Sequence, residues 1–105
     1  MTDYIVVFIT VSSEKEGEKI ASALLKEKLA ACVNMIGGIK SSFRWKGQIS
    51  TEDEVLLIAK TRDILFESLK KRVLELHSYE VPEIIALPIL AGFEKYLEWI
   101  KKETV

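Results

Sequence analysis

Cysteine and histidine are almost missing from this chain and proline is scarce: one, one and two residues in 105. A single cysteine excludes an intrachain disulfide framework, so nothing argues for an oxidising compartment. One histidine and one cysteine also offer no recognised zinc or copper ligand spacing. No apolar run reaches the length of a membrane span. Basic residues never form the block expected of a nucleic-acid or membrane-surface binder, and the net charge is only -1. Lys70-Lys71-Arg72 and Lys101-Lys102 are short and fall near helix C-termini, where cations are favoured. Gly37-Gly38 lacks the lysine and hydroxyl of a phosphate-cradling loop. The N-terminal Met1-Thr2-Asp3-Tyr4 has no basic region before its apolar run, so no leader is read there and cytoplasm is the expected compartment.

What is present is an ordinary globular balance, 49% apolar and 30% charged, with both signs interspersed. The length predicts one domain, residues 1–105. Its organising stretch is Glu54 to Thr61, in which five apolar residues, Val55 to Ala59, lie between polar ends. That run is too short for a buried helix and fits a strand covered on both faces.

Around it the pattern alternates between the two periodicities. Ile5 to Val11 is β-branched and aromatic and reads as a buried strand. Ser13 opens a helix with Glu16 in the capping-box relation, and Ile20, Ala21, Leu24 and Leu25 line its inner face to an end near Leu29. Ala30 to Ile36 is a second strand, broken by a bulge or bend at Gly37-Gly38 and resumed through Ser41 to Trp45. Lys46-Gly47-Gln48 turns the chain, and Ile49 starts the return leg. This hairpin is longer than a small sheet needs, so its far end projects beyond the body. Leu65, Leu69, Val73 and Leu76 mark a second helix over Asp63 to Leu76, capped by Thr61 or Asp63. Pro82 enforces a connection before the last strand, Glu83 to Ile89, which Pro88 places at a sheet edge or at an element's end rather than in a central ladder. A terminal helix follows Gly92, with Phe93, Tyr96, Leu97 and Ile100 as its apolar stripe and Trp99 off it.

The order β-α-β-β-α-β plus a C-terminal helix predicts an α+β ferredoxin-like plait with helices on one face of the sheet. The other face is then left bare, and packing subunits against one another would cover it. Trp45, Phe43 and Trp99 are the large aromatics expected at such an interface.

Five ordered blocks carry a resemblance. Leu29-Ala-Ala-Cys-Val-Asn34, Ser42-Phe-Arg-Trp45-Lys-Gly47-Gln-Ile49, Leu57-Ile-Ala-Lys60-Thr61, His77-Ser-Tyr79-Glu-Val-Pro82-Glu83-Ile84 and Tyr96-Leu-Glu-Trp99-Ile100 resemble the CutA family of divalent-cation tolerance proteins over nearly the whole chain. The resemblance implies a homotrimer similar in build to PII signalling proteins. It also implies association with copper or another divalent cation and a role in metal tolerance. The ligand departures below make that ion weakly held. Because nothing in the sequence supplies an activated nucleophile, an oxyanion hole or a cofactor loop, no catalysed reaction is expected. A small-molecule sensor or assembly scaffold using the clefts between subunits is the alternative. Departures are visible. Ser78 stands where the family usually has proline, and Phe43 where tyrosine is common. Ile9 and Leu76 occupy the places of a cysteine and of the first of two histidines linked to copper in some bacterial relatives, so only His77 survives of that set.

The candidate residues follow. His77 is either one neutral imidazole ligand, joined by Glu80 and Glu83, or a helix C-terminal residue bonded to a carbonyl or favoured by the helix field. Cys32 is a soft ligand by chemistry and a small buried hydrophobe by its apolar neighbours. Glu54, Lys60, Glu80 and Glu83 are interfacial ion pairs or an acid/base set. The resemblance places Glu54, Lys60, Tyr79 and Trp45 in an inter-subunit cleft, with self-association and divalent metal ions as partners, and neither nucleic acid nor membrane.

Overall fold

The computed structural model describes residues 3–105; Met1 and Thr2, part of the stretch read above for the lack of a leader, lie outside them. Four strands and three helices follow the expected order: β1 (Tyr4–Val11), α1 (Glu14–Lys26), β2 (Cys32–Trp45), β3 (Gln48–Arg62), α2 (Phe66–Leu76), β4 (Ile84–Pro88) and α3 (Glu94–Glu103). The strands form one antiparallel sheet in the order β2-β3-β1-β4, a ferredoxin-like plait.

Strand alternation divides the sheet into two unlike faces. Ile5, Val7, Ile9 and Val11 of β1 pair with Thr61, Ala59, Leu57 and Val55 of β3. All eight are buried, and with Ile20 and Leu24 of α1 and Leu69 and Val73 of α2 they make the core. Gly17 lets α1 approach the sheet closely. A Cβ there would lie 3.0 Å from Met35 Sδ and 3.3 Å from both Leu57 and Val11 methyl carbons. Thr61 turns its hydroxyl to the Leu29 carbonyl at 2.7 Å, so the one polar side chain fully buried in this core is satisfied.

On the opposite face the rows run Asn34–Ile58–Phe8–Ile85 and Cys32–Lys60–Val6–Leu87. This face is only partly protected: Ile36, Ile85 and Leu87 remain 44%, 50% and 46% exposed. α3 reaches one end of it, where Arg62 Nε donates to Thr104 Oγ1 at 3.0 Å and Ile100 is fully buried. The reading of Val55 to Ala59 as covered on both faces is thus met on the helical side alone within one chain.

β2 and β3 extend well past β1 and form the projecting arm expected from the sequence, giving the molecule extents of 44 × 26 × 23 Å. A register shift between Ile36 and Ile39 is the expected bulge, with Gly38 at φ +74°. Lys46 and Gly47, both at positive φ, close the two-residue turn. Pro88 does lie on an edge strand, since β4 pairs with β1 only.

Several local expectations need correction. α1 ends at Lys26, not near Leu29, because Lys28 adopts φ +59° and the Leu29 and Lys28 amides return to the Leu24 and Leu25 carbonyls. With lysine rather than glycine at the left-handed position, this helix stop carries no compositional signal. β2 starts at Cys32 and continues through the bulge as one strand, and the last strand is the shorter Ile84–Pro88. Neither Thr61 nor Asp63 caps α2: Thr61 is buried in β3, and Asp63 to Leu65 form a 3-10 turn ahead of the helix. Phe93 precedes α3 and is 67% exposed, so the terminal helix buries Ile100 rather than the whole stripe.

Candidate functional site

The densest polar arrangement lies where β1 runs into α1 and where the connection from α2 to β4 passes beside it. Ser13 Oγ accepts the Glu16 amide at 3.1 Å, the expected N-cap. The Glu16 carboxylate does not return to Ser13. Its Oε1 accepts from the Ser12 amide and hydroxyl, each at 3.0 Å, and its Oε2 accepts from the Ser78 amide at 2.8 Å. Burial acts to raise this carboxyl's pKa, but the hydrogen bonds from Ser12 and Ser78 outweigh it and hold the pKa at about 2. Because the folded-state value lies below the ordinary 4.5, the contribution is fully present above that pH and is lost as pH falls toward 2. Glu16→Gln is expected to flatten the acid limb of the stability curve in that window by about 1–2 kcal/mol after solvent screening. Denaturant melts at pH 5, 4, 3 and 2 measure this, and parallel curves for both proteins would refute it.

Two further side chains converge on the same connection. The His77 ring meets the Thr10 carbonyl through Nε2 at 2.7 Å, and its Nδ1 accepts the Tyr79 amide at 3.1 Å. Tyr79 packs on His77, ring centroids 4.7 Å apart, and its hydroxyl donates to Glu54 Oε2 at 2.7 Å. Glu54 is 8% exposed, at the point where the arm leaves the sheet. The Tyr79 hydroxyl is pushed well above its ordinary pKa by burial first, then by the hydrogen bond and charge of Glu54, with Glu16 and Glu52 adding to it. Tyr79 is therefore a neutral donor at any ordinary pH.

The remaining candidates stand elsewhere. Lys60 is six residues along β3 from Glu54, about 20 Å at the strand rise, and its ammonium donates to Asn34 Oδ1. Trp45, at the arm's tip opposite Gln48, is about 20 Å from Glu54 in the other direction. It is 41% exposed beneath the Lys46 ammonium at 5.9 Å, and Phe43 shares its face of the arm. Glu80 and Glu83 are exposed. Trp99 leans on Tyr96, centroids 5.5 Å apart, and both stay near 40% exposed. Cys32 is not the buried hydrophobe its neighbours suggested: it is partly exposed, alternates away from the helical core and adjoins the Tyr96 hydroxyl. That hydroxyl's pKa is raised by burial and by the neighbouring thiol.

One chain thus brings Glu54, Tyr79 and His77 together and leaves Lys60, Trp45 and Cys32 apart. No group of three or more His, Cys, Asp and Glu side chains is placed to hold a metal ion among the described residues. The described residues therefore form no such ion site within one chain. Two participants were not legible as such. Glu16 was read only as a capping residue, and Asn34 had no signal as the partner of Lys60.

Comparison with known proteins fits this architecture. Residues 5–103 match the family model described as CutA1 divalent ion tolerance protein. The Arabidopsis thaliana protein named "Protein CutA, chloroplastic" is 50% identical over 100 residues, covering 95% of this chain and 55% of that protein. The chain spans about half the length of the plant relatives it matches. Among solved structures, the divalent cation tolerance protein of Thermus thermophilus superposes with a TM-score of 0.96 at 48% identity, covering 97% of this chain and 99% of that one. The Archaeoglobus fulgidus CutA structure reaches 0.93 at 42% identity over 95% of this chain and 97% of that one, and it is named a periplasmic divalent cation tolerance protein. That name overturns the cytoplasmic expectation. A lone thiol is chemically compatible with either redox environment, so cysteine scarcity did not decide the compartment. Among the described residues no helix is long and apolar enough to cross a membrane.

Proposed function

The chain belongs to the CutA1 divalent ion tolerance protein family, and from that premise we propose that it works as a homotrimer in divalent-cation tolerance, engaging copper or another divalent ion weakly at the junctions between subunits. The family is described by ion tolerance rather than by a reaction. The observation that carries the proposal is the partly bare sheet face beside a projecting arm. Phe8, Ile58, Ile85 and Leu87 form an apolar surface that α3 covers only at one end. The arm ends in exposed Phe43 and Trp45. A second and third copy would cover the face and the edge of the arm, in a build similar to PII proteins. The same assembly would bring Trp45 and Lys60 of adjoining chains toward the Glu54–Tyr79 pair, which lie too far apart in one chain to share a ligand. Glu80 and Glu83 are the exposed carboxylates left to meet a cation, with copper preferred by the ordinary stability order.

Sedimentation tests the assembly. Wild type should run with the mass of three chains, and Trp45→Ala should shift toward single chains as protein is diluted into the micromolar range. An unchanged trimer of unchanged thermal stability would remove the arm from the interface. Calorimetry with copper, zinc competing, should give weak, saturable heat in the trimer. The partly buried Glu54–Tyr79 pair favours one alternative, a small organic ligand held in the same clefts. Tight saturable binding of such a molecule with no copper heat would select that reading.

A further inference from the structure

We infer that His77 is the clasp that positions Tyr79 on Glu54, and that divalent cations do not use its ring. This rests on the cation-tolerance reading above and specifies one side chain's part in it. Donor and acceptor chemistry settles the state of the imidazole. A carbonyl oxygen only accepts, so the contact with Thr10 requires the proton on Nε2; a backbone amide only donates, so the contact from Tyr79 requires the lone pair on Nδ1. Both ring nitrogens are therefore committed in the neutral Nε2–H form. A metal ion needs a ring lone pair. The lone pair on Nδ1 is engaged by the Tyr79 amide, and Nε2 holds its proton on a carbonyl of the central sheet.

The neighbours give the ring a reason for that arrangement. His77 ends α2, its own amide bonded to the Val73 carbonyl at 2.8 Å. From there three consecutive residues are tied to three different elements: His77 to β1 through Thr10, Ser78 to α1 through Glu16, and Tyr79 to β3 through Glu54. The Tyr79 amide on Nδ1 closes a two-residue turn that sets the direction of the tyrosine ring, and the packed imidazole supports it at 4.7 Å. Glu80 and Glu83, the carboxylates expected to join His77 around an ion, are exposed and form no such cluster with it. The ring is thus a positioning group whose effect is read at Tyr79 and Glu54.

The test compares the full-length wild type with His77→Ala and His77→Asn. Asparagine at this place retains an acceptor for the amide two residues on, while losing reach to Thr10. Nitrogen-15 spectra of the imidazole should show the Nε2–H tautomer and should not move on adding zinc chloride. Exchange of the Tyr79 amide should accelerate about tenfold or more in His77→Ala and recover partly in His77→Asn. Copper sulfate heats should be the same in all three proteins. A zinc-induced shift of the ring nitrogens, or a loss of copper affinity of about tenfold in His77→Ala, overturns the inference. So does unchanged Tyr79 exchange in that variant. No copper or zinc heat in any of the three would instead overturn the cation reading, with the clasp still decided by tautomer and exchange.

Discussion

Leu57→Ala is expected to lower unfolding stability by about 3 kcal/mol and the melting temperature by roughly 10–20 °C. Leu57 is fully buried in a central strand, paired with Ile9 of β1 on one side and Met35 of β2 on the other. Above it α1 approaches through Gly17, whose missing side chain leaves the helix backbone directly against the leucine methyl carbons. Truncation therefore opens a cavity whose walls are two neighbouring strands and a helix already at close contact. None of them moves inward without breaking ladder hydrogen bonds, so the cavity stays open and its cost adds to the lost transfer energy. Chemical denaturation measures the change. A loss below about 1 kcal/mol would mean that the site collapses and that the helix is not fixed by this contact.

Ile58→Glu, one residue on, is expected to act on assembly instead. Ile58 points to the other face, in the row Asn34–Ile58–Phe8–Ile85, and is only partly buried within the chain. A glutamate there keeps its carboxylate in water while the chain is alone, so the single subunit should fold. In the proposed trimer the same carboxylate would be enclosed with its symmetry mates, the Lys60 ammonium on this face being already held by Asn34, at a cost of several kcal/mol for each copy. Sedimentation should therefore show single chains at concentrations where wild type is trimeric. Thermal unfolding should lose its dependence on protein concentration, since the stabilisation from assembly by mass action is gone. A trimeric Ile58→Glu protein would mean that this face is not the one covered, and the arm alone would have to account for association.

These neighbours also mark how far the sequence could be read. The run Val55 to Ala59 announced a strand without a solvent face, and the alternation of Leu57 with Ile58 across the sheet is inherent in strand geometry. What covers each side was not equally legible. The helical stripes of Leu24 and Val73 pointed to their own sheet, whereas on the other face Ile58 is left only partly buried among the described residues. His77 illustrates the same limit at the candidate site. Its place at the end of a helix followed from the stripe ending at Leu76 and from Pro82, and a bonded carbonyl was one of its expected fates. The carbonyl proved to belong to Thr10, 67 residues away.

Element order, the bulge at Gly38, the turn at Lys46-Gly47 and the edge position of Pro88 were determined by the sequence itself. Each depends on periodicity or on the dihedral preferences of a few adjacent residues. Lys28 is the counterexample that supports the rule: a helix stop in left-handed backbone without glycine left no local mark. Tertiary structure alone decided that Glu16 would hold Ser78 across 62 residues and that Lys60 would meet Asn34 rather than Glu54. It likewise decided that His77 would engage both ring nitrogens within the chain. The physical reason is the range of the interactions. Periodicity assigns a side chain to a face, but a hydrogen bond forms only when two distant segments are brought within about 3 Å at the right angle, and that depends on strand register and helix packing together.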